Sequence, residues 1–400
     1  MKNNASAVRI NSILYQLQKM LQSGAGELCS GALTTSFLIW LGLNTQSISL
    51  INFAGNAGNF VASLLIVYAF NWDSSGVKLL KITTIGALLA PVARLLYSAA
   101  PGTGLFVLLL LLTFVGATLS SARNSAEVCS TPVLFGGETY VKLMGSSGIY
   151  SGLFSFVVVF AAMFLFRDVE DGVFYRLYTG AAAILLILEF AVGLLYKPVY
   201  CDQTPSARTA FRLRDMLTRE YLSLCLPHLL RGVGMAGASL TTALMLERVK
   251  LTQTQNTLLL PIVIVCGIAA SAIFLAAVKR FFQGAIICFC YCVSALCMIL
   301  APFVSSAAAF FCIYILNIIV TNMANKSVMG VMVSLYTGKR LSVMSSLHIL
   351  AFSVGFCPTV LLFGWLSGIA PLGTMAVSAI IYVISGILFA RLKTRKEKHP

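Results

Sequence analysis

"GLFVLLLLLTFVGATLSSARNSAEVCS" occupies residues 104–130. Its first half is apolar without a break, and its second carries Arg123 and Glu127 with no loop signal around them. In water this would be a core helix with two stranded charges. In hydrocarbon it is a spanning helix whose charges must face protein or an aqueous cavity. Composition selects the second solvent. Of 400 residues, 58% are hydrophobic and only 10% charged, whereas soluble domains carry about 25% charged residues. So few charges cannot cover a water-facing surface.

Apolar stretches able to cross ~30 Å of hydrocarbon as helices recur at 18–43, 48–70, 79–99, 104–134, 144–166, 175–196, 221–246, 253–278, 283–303, 305–335, 343–366 and 370–391. They predict an all-α polytopic membrane protein with twelve transmembrane helices. The start, "MKNNASAVRINSILYQLQKM", lacks the short apolar core and small-residue cleavage site of a signal peptide, so the first helix is expected to stay. With the N-terminus inside, the tails and the loops near 71–78, 135–143, 197–220, 279–282 and 336–342 hold about 20 of the 28 Lys and Arg residues. The outer loops hold four: Arg167, Arg176, Arg248 and Lys250. This asymmetry places both termini in the cytoplasm, and the short loops and tails fit a bacterial plasma membrane. The net charge of +15 is thus read as topology, and no nucleic-acid partner is expected. Eleven cysteines, mostly inside apolar helices and without C-x-x-C pairs, read as small buried hydrophobes. Neither a metal nor a cofactor is expected.

The longest polar stretch, "YKPVYCDQTPSARTAFRLRDMLTRE", divides the chain into an N-terminal six-helix bundle (1–196), a cytoplasmic linker (197–220) and a C-terminal six-helix bundle (221–400). The halves echo one another. "GALTTSFLIWLGLNTQS" (31–47) resembles "ASLTTALMLERVKLTQT" (238–254): Leu33-Thr34-Thr35 matches Leu240-Thr241-Thr242, and Thr45-Gln46 matches Thr252-Gln253. A six-plus-six duplication accounts for the coincidence.

On these features the chain resembles a major facilitator superfamily transporter over essentially its full length. The family's cytoplasmic motif, G-x-x-x-D-x-x-G-R-K, has a partial counterpart in "AFNWDSSGVKLLK", which keeps Asp73, Gly76 and Lys78 but has Ala69 and Val77 at two motif positions. The second-half loop "VKRFFQG" keeps only Lys279 and Arg280. The fifth span, "GSSGIYSGLF", lacks the Gly-Pro motif of drug antiporters, and the sugar-porter and peptide-symporter motifs are absent. Its Gly148 and Gly152 form a G-x-x-x-G step, expected to mark a close helix contact. The resemblance implies two pseudo-symmetric bundles, spans 1, 4, 7 and 10 lining a central cavity, and secondary active transport by alternating access. Its partners would be a small-molecule substrate, the lipid bilayer, and a proton or other ion gradient. With no P-loop, ATP is not the energy source within this chain. A monomer is expected.

An ionisable group in the bilayer core costs at least ~2.5–3.5 kcal/mol, so one seldom persists without a role. Seven fall inside the spans away from their ends: Glu27, Arg94, Arg123, Glu127, Glu189, Arg231 and Lys326. Arg94 is expected to snorkel to the interface. Glu189 lies within about two turns of a cytoplasmic end, and the resemblance puts both on peripheral spans. The other five, on spans 1, 4, 7 and 10, lie roughly 10–16 Å from the cytoplasmic ends of their helices and so share one layer. Arg123 and Glu127 are spaced to pair, with Asn124 bordering them. Asn317, Thr321 and Asn325 form a polar stripe flanked by Lys326, as do Asn52, Asn56 and Asn59 on span 2 and Glu27, Ser30 and Thr34 on span 1. Lipid cannot satisfy such stripes; together they outline a cavity.

Three uses of the layer stay open: an anion site of Arg123, Arg231 and Lys326 with Glu27 or Glu127 as proton carrier, an intracellular gate, or static pairing. His348 reads as a proton relay or a neutral core histidine, and His228 as an interface residue. The substrate expected is small and polar, an organic anion being one reading and an amphiphile for efflux another. An enzyme should show a nucleophile with an acid–base pair, which the sequence lacks, and a sensor should carry an appended domain.

Overall fold

The computed structural model describes residues 2–29, 31–68, 81, 83–135, 137–166, 169–197, 219–335 and 339–392. Among these residues there is no β-strand. Within the described residues thirteen α-helices follow one another: α1 (Lys2–Leu28), α2 (Gly31–Trp40), α3 (Thr45–Tyr68), α4 (Gly86–Ala99), α5 (Thr103–Phe135), α6 (Gly137–Leu165), α7 (Asp171–Leu194), α8 (Arg219–Arg248), α9 (Gln253–Ala277), α10 (Gln283–Leu300), α11 (Ala307–Leu335), α12 (Lys339–Ile369) and α13 (Pro371–Ala390). Helix stands at each of the twelve expected spans. Among the described residues nine helices are long and apolar enough to cross a membrane, and three shorter apolar ones accompany them.

Burial is inverted relative to a protein in water. Phe160 and Phe164 are 63% and 68% exposed, while Asn11, Thr241, Ser327 and Ser385 are sealed inside. Lipid is the solvent in which large apolar side chains belong outside and polar groups must be satisfied internally. The chain is a multi-pass membrane protein.

The first expected span is corrected. It is not one helix over 18–43: α1 ends at Leu28, α2 begins at Gly31, and α1 reaches back to Lys2. "SGAGELCSGA" (23–32) carries three glycines, each costing ~1 kcal/mol of helix stability relative to Ala, so a continuous helix is weakest beside Glu27. After α2 the chain turns in a Schellman motif. The Gly42 N–H bonds Ile39 O at 2.9 Å and the Leu43 N–H bonds Leu38 O at 3.0 Å, which needs the left-handed φ of +84° that Gly42 adopts. Asn44 then caps α3 through the Ser47 N–H at 2.9 Å. In the second half of the repeat, Thr252 and Gln255 close a capping box at the start of α9.

The chain divides into two compact units: Met1–Ser30 with Val61–Arg212, and Gly31–Phe60 with Leu213–Pro400. In the first, α1 packs on α6 and α7, and α4 packs on α5 and α7. Gly86 and Gly116 let α4 and α5 touch, since a Cβ at Gly116 would stand 2.8 Å from Gly86 O. The end of α7 is tied down by Lys81 Nζ, which donates to Leu194 O at 3.0 Å and Tyr196 O at 2.9 Å, and by Asn11, which exchanges two hydrogen bonds with the Lys197 backbone.

In the second unit, α8 packs on α12 and α13, α10 on α11 and α13, and α2 on α8 and α9. A core of Ala32, Met245, Leu259, Phe310 and Tyr314 cements this end. The expected close contact at Gly152 is not there: nothing lies within 4 Å of where its Cβ would be. Among the described residues no helix faces Gly152 closely, and close approach falls to other glycines instead.

Candidate functional site

In the first unit, Arg123 on α5 is 2% exposed and forms an ion pair with Glu189 on α7, which is 0% exposed. Both sequence expectations for these residues change. The partner the structure gives Arg123 is Glu189, and the side chain of Glu127 lies outside the described residues. Glu189, expected near an end of its span, is sealed in the interior, because a buried guanidinium demands a buried countercharge. Arg94, expected to snorkel, reaches the Cys29 side chain at the end of α1. Glu27 is half-buried beside the α1–α2 break, and Asn124 is exposed. Ser30 and the loop residues Asp73, Gly76 and Lys78 lie outside the described residues.

The second unit brings together two of the expected site residues. Arg231 sits well inside α8, and its Nη2 donates to Asn325 Oδ1 of α11 at 2.8 Å. Its guanidinium also lies 5.2 Å from the centre of the Phe352 ring on α12. Lys326, about 100° further round α11 than Asn325, turns the other way and donates to Ser271 Oγ of α9. Asn317 accepts from Ser294 Oγ of α10 at 2.8 Å and so joins two helices. Thr321, Thr34, Asn52, Asn56 and Asn59 are half-buried, and Asn56 bonds back to Asn52 O of its own helix at 3.0 Å.

The electrostatics of the units therefore differ in kind. Arg123 is cancelled by a carboxylate. Arg231 and Lys326 are held by an amide, an aromatic face and a hydroxyl, all neutral. No Asp or Glu occurs between Arg248 and Lys396, and the acids of α8, Glu220 and Glu247, lie about 16 and 24 Å along the helix from Arg231. Glu247 is engaged elsewhere, accepting the Thr45 N–H at the start of α3. Neutral dipoles can solvate a cation, but among the described residues they leave Arg231 and Lys326 without an anion.

The sequence reading missed a third feature. His228 on α8 and His348 on α12 stack, with ring centroids 4.6 Å apart and planes at 26°, and Phe389 meets His228 edge-on at 5.2 Å. The signal was present as matched spacing, His228 three before Arg231 and His348 four before Phe352, but only the contact between α8 and α12 shows that the two pairs face each other.

Solved structures share this fold along nearly the whole chain. The xylose transporter XylE from E. coli, in a partially occluded inward open conformation, matches with a TM-score of 0.69 at 10% identity, covering 99% of this chain and 100% of that chain. The nucleoside transporter NupG matches at 0.63 and 13% identity, covering 95% and 98%. The major facilitator superfamily transporter FucP matches at 0.57 and 11% identity, covering 97% and 100%. No family model matches the sequence, and no curated protein matches it significantly. The chain has the major facilitator superfamily fold, as the resemblance in its sequence implied.

Proposed function

We propose that the protein is a secondary active transporter that moves a small polar solute, an organic anion, across the plasma membrane by alternating access coupled to protons. Structures of the same fold include a D-xylose–proton symporter and a fucose–proton symporter, which supports transport as the class. The observation that carries the anion reading is that Arg231 and Lys326 have neutral partners in a unit whose helices α9–α13 carry no acid.

Arg231 offers a planar fork that takes a carboxylate bidentately, and Lys326 offers a compact point charge. Asn325 orients the fork. Glu27, or Glu127 in its place, carries the proton, while Asn124, Ser30, Thr34, Asn52, Asn56, Asn59, Asn317 and Thr321 line the route. Arg123, already cancelled by Glu189, holds its bundle together rather than the substrate. The bundles 1–196 and 221–400, joined by 197–220, rock around the site as a monomer with both termini in the cytoplasm.

Uptake of labelled organic acids and sugars into proteoliposomes, with and without a pH gradient, tests this reading. Acid uptake should rise with the gradient and fall at least tenfold in Arg231→Gln and Lys326→Gln, the cost of losing ~1.4 kcal/mol or more of binding. Sugar uptake that both variants retain would contradict the anion assignment.

A further inference from the structure

α8 and α12 cross at two glycines. A Cβ on Gly232 would stand 2.1 Å from Phe352 O, and one on Gly355 would stand 2.1 Å from Leu229 O. The backbones therefore touch, and the flanking side chains form two rungs. Arg231 lies over Phe352, and one turn away His228 stacks on His348. Both imidazoles are deeply buried, 3% and 2% exposed, and Nε2 of His228 finds no hydrogen-bond partner. Phe389 of α13 meets His228 edge-on, Tyr291 of α10 lies edge-on to Phe389 and stacks on Tyr382 of α13 at 3.9 Å, and Arg231 stands about one turn along α8 from His228. Tyrosine phenols stay neutral far above physiological pH, so Arg231 is the charged group among these neighbours. The acids of α8, Glu220 and Glu247, lie about 12 and 28 Å along the helix from His228.

Two neutral imidazoles stack without penalty, and a neutral ring tolerates a charged one. Two imidazoliums this close in a low-dielectric interior repel each other strongly. The pair thus holds one proton at most. While Arg231 is uncompensated, its charge opposes even that one. An anion on the guanidinium removes the opposition.

We propose that His228 and His348 form a one-proton site whose filling is coupled to anion binding at Arg231, so that anion and proton occupy the C-terminal unit together. The proposal rests on the anion reading above and adds a proton site separate from Glu27. Coupling is reciprocal: the anion strengthens proton binding by the same factor as the proton strengthens anion binding.

The coupling can be tested without a substrate. Asn325→Asp places a carboxylate where the amide now accepts from Arg231, a built-in stand-in for the bound anion. Full-length protein in lipid nanodiscs, with ring-15N-labelled histidine, reports each imidazole's charge by NMR. The chain has three histidines, so His228, His348 and His399 can be assigned by single His→Gln substitutions. In the wild type the buried pair should take up a single proton as pH falls. Asn325→Asp and Arg231→Gln should each move that uptake to higher pH by about one unit, a tenfold gain in proton affinity. Arg231→Lys, which keeps the charge, should leave it in place.

Identical uptake in wild type, Asn325→Asp and Arg231→Gln would overturn the proposal, as would two independent protons on the pair. Two variants that remove the opposition by different means guard against one failing to fold. If organic-acid flux fails while the histidine shifts appear, the transport reading falls and the coupling stands; flux with unlinked histidines means the reverse.

Discussion

Arg123 and Arg231 occupy the same kind of solvent and are compensated in opposite ways. Arg123 meets a carboxylate that no water reaches, and removing one partner of such a pair typically costs about 3–5 kcal/mol because the other charge is left buried. Glu189→Gln should therefore lower the unfolding midpoint sharply in detergent, whereas Arg123→Met with Glu189→Leu should recover most of the loss. Arg231 gives up a hydrogen bond to a neutral amide, worth about 1.5–3 kcal/mol when one partner is charged, against the expense of keeping a cation in the membrane. Arg231→Gln should fold with nearly wild-type stability, read from the same melts. The sequence showed every one of these charges and none of their partners. Glu127 stands one helical turn from Arg123 and looked sufficient; Glu189 is adjacent only through the contact of α5's bundle with α7. The stacked histidines were hidden for the same reason.

Helix contacts in this protein are set by where a missing Cβ meets backbone. Gly232 and Gly355 are such places, and Gly232→Ala or Gly355→Ala should destabilise by about 1–3 kcal/mol through forced separation. Gly152→Ala, with open space around it, should be close to neutral; parallel thermal melts compare the three. A G-x-x-x-G spacing reports that a close contact is sterically allowed, not that a partner is there, which is why Gly152 misled. Span positions were legible because hydropathy senses the solvent directly. The end of α1 at Leu28 was not, because a window of about 19 residues averages over a single turn.

Across the whole molecule, the repeat of 31–47 in 238–254, the basic loops and the run of apolar spans made the fold legible in the sequence. The charge layer was only partly legible: sequence counted bases and acids together, and among the described residues the structure separates a cancelled pair in one unit from two cations with neutral partners in the other. An anion-accepting C-terminal unit is thus the account's central claim. Ligand-induced thermal stabilisation of the purified protein tests it most directly, using a panel of organic acids, sugars, amino acids and amphiphilic drugs. Organic acids should stabilise the wild type, by about 2.7 kcal/mol at a hundredfold excess over Kd, while Arg231→Gln and Lys326→Gln fold but lose that shift. Stabilisation of equal size in both variants would contradict the claim.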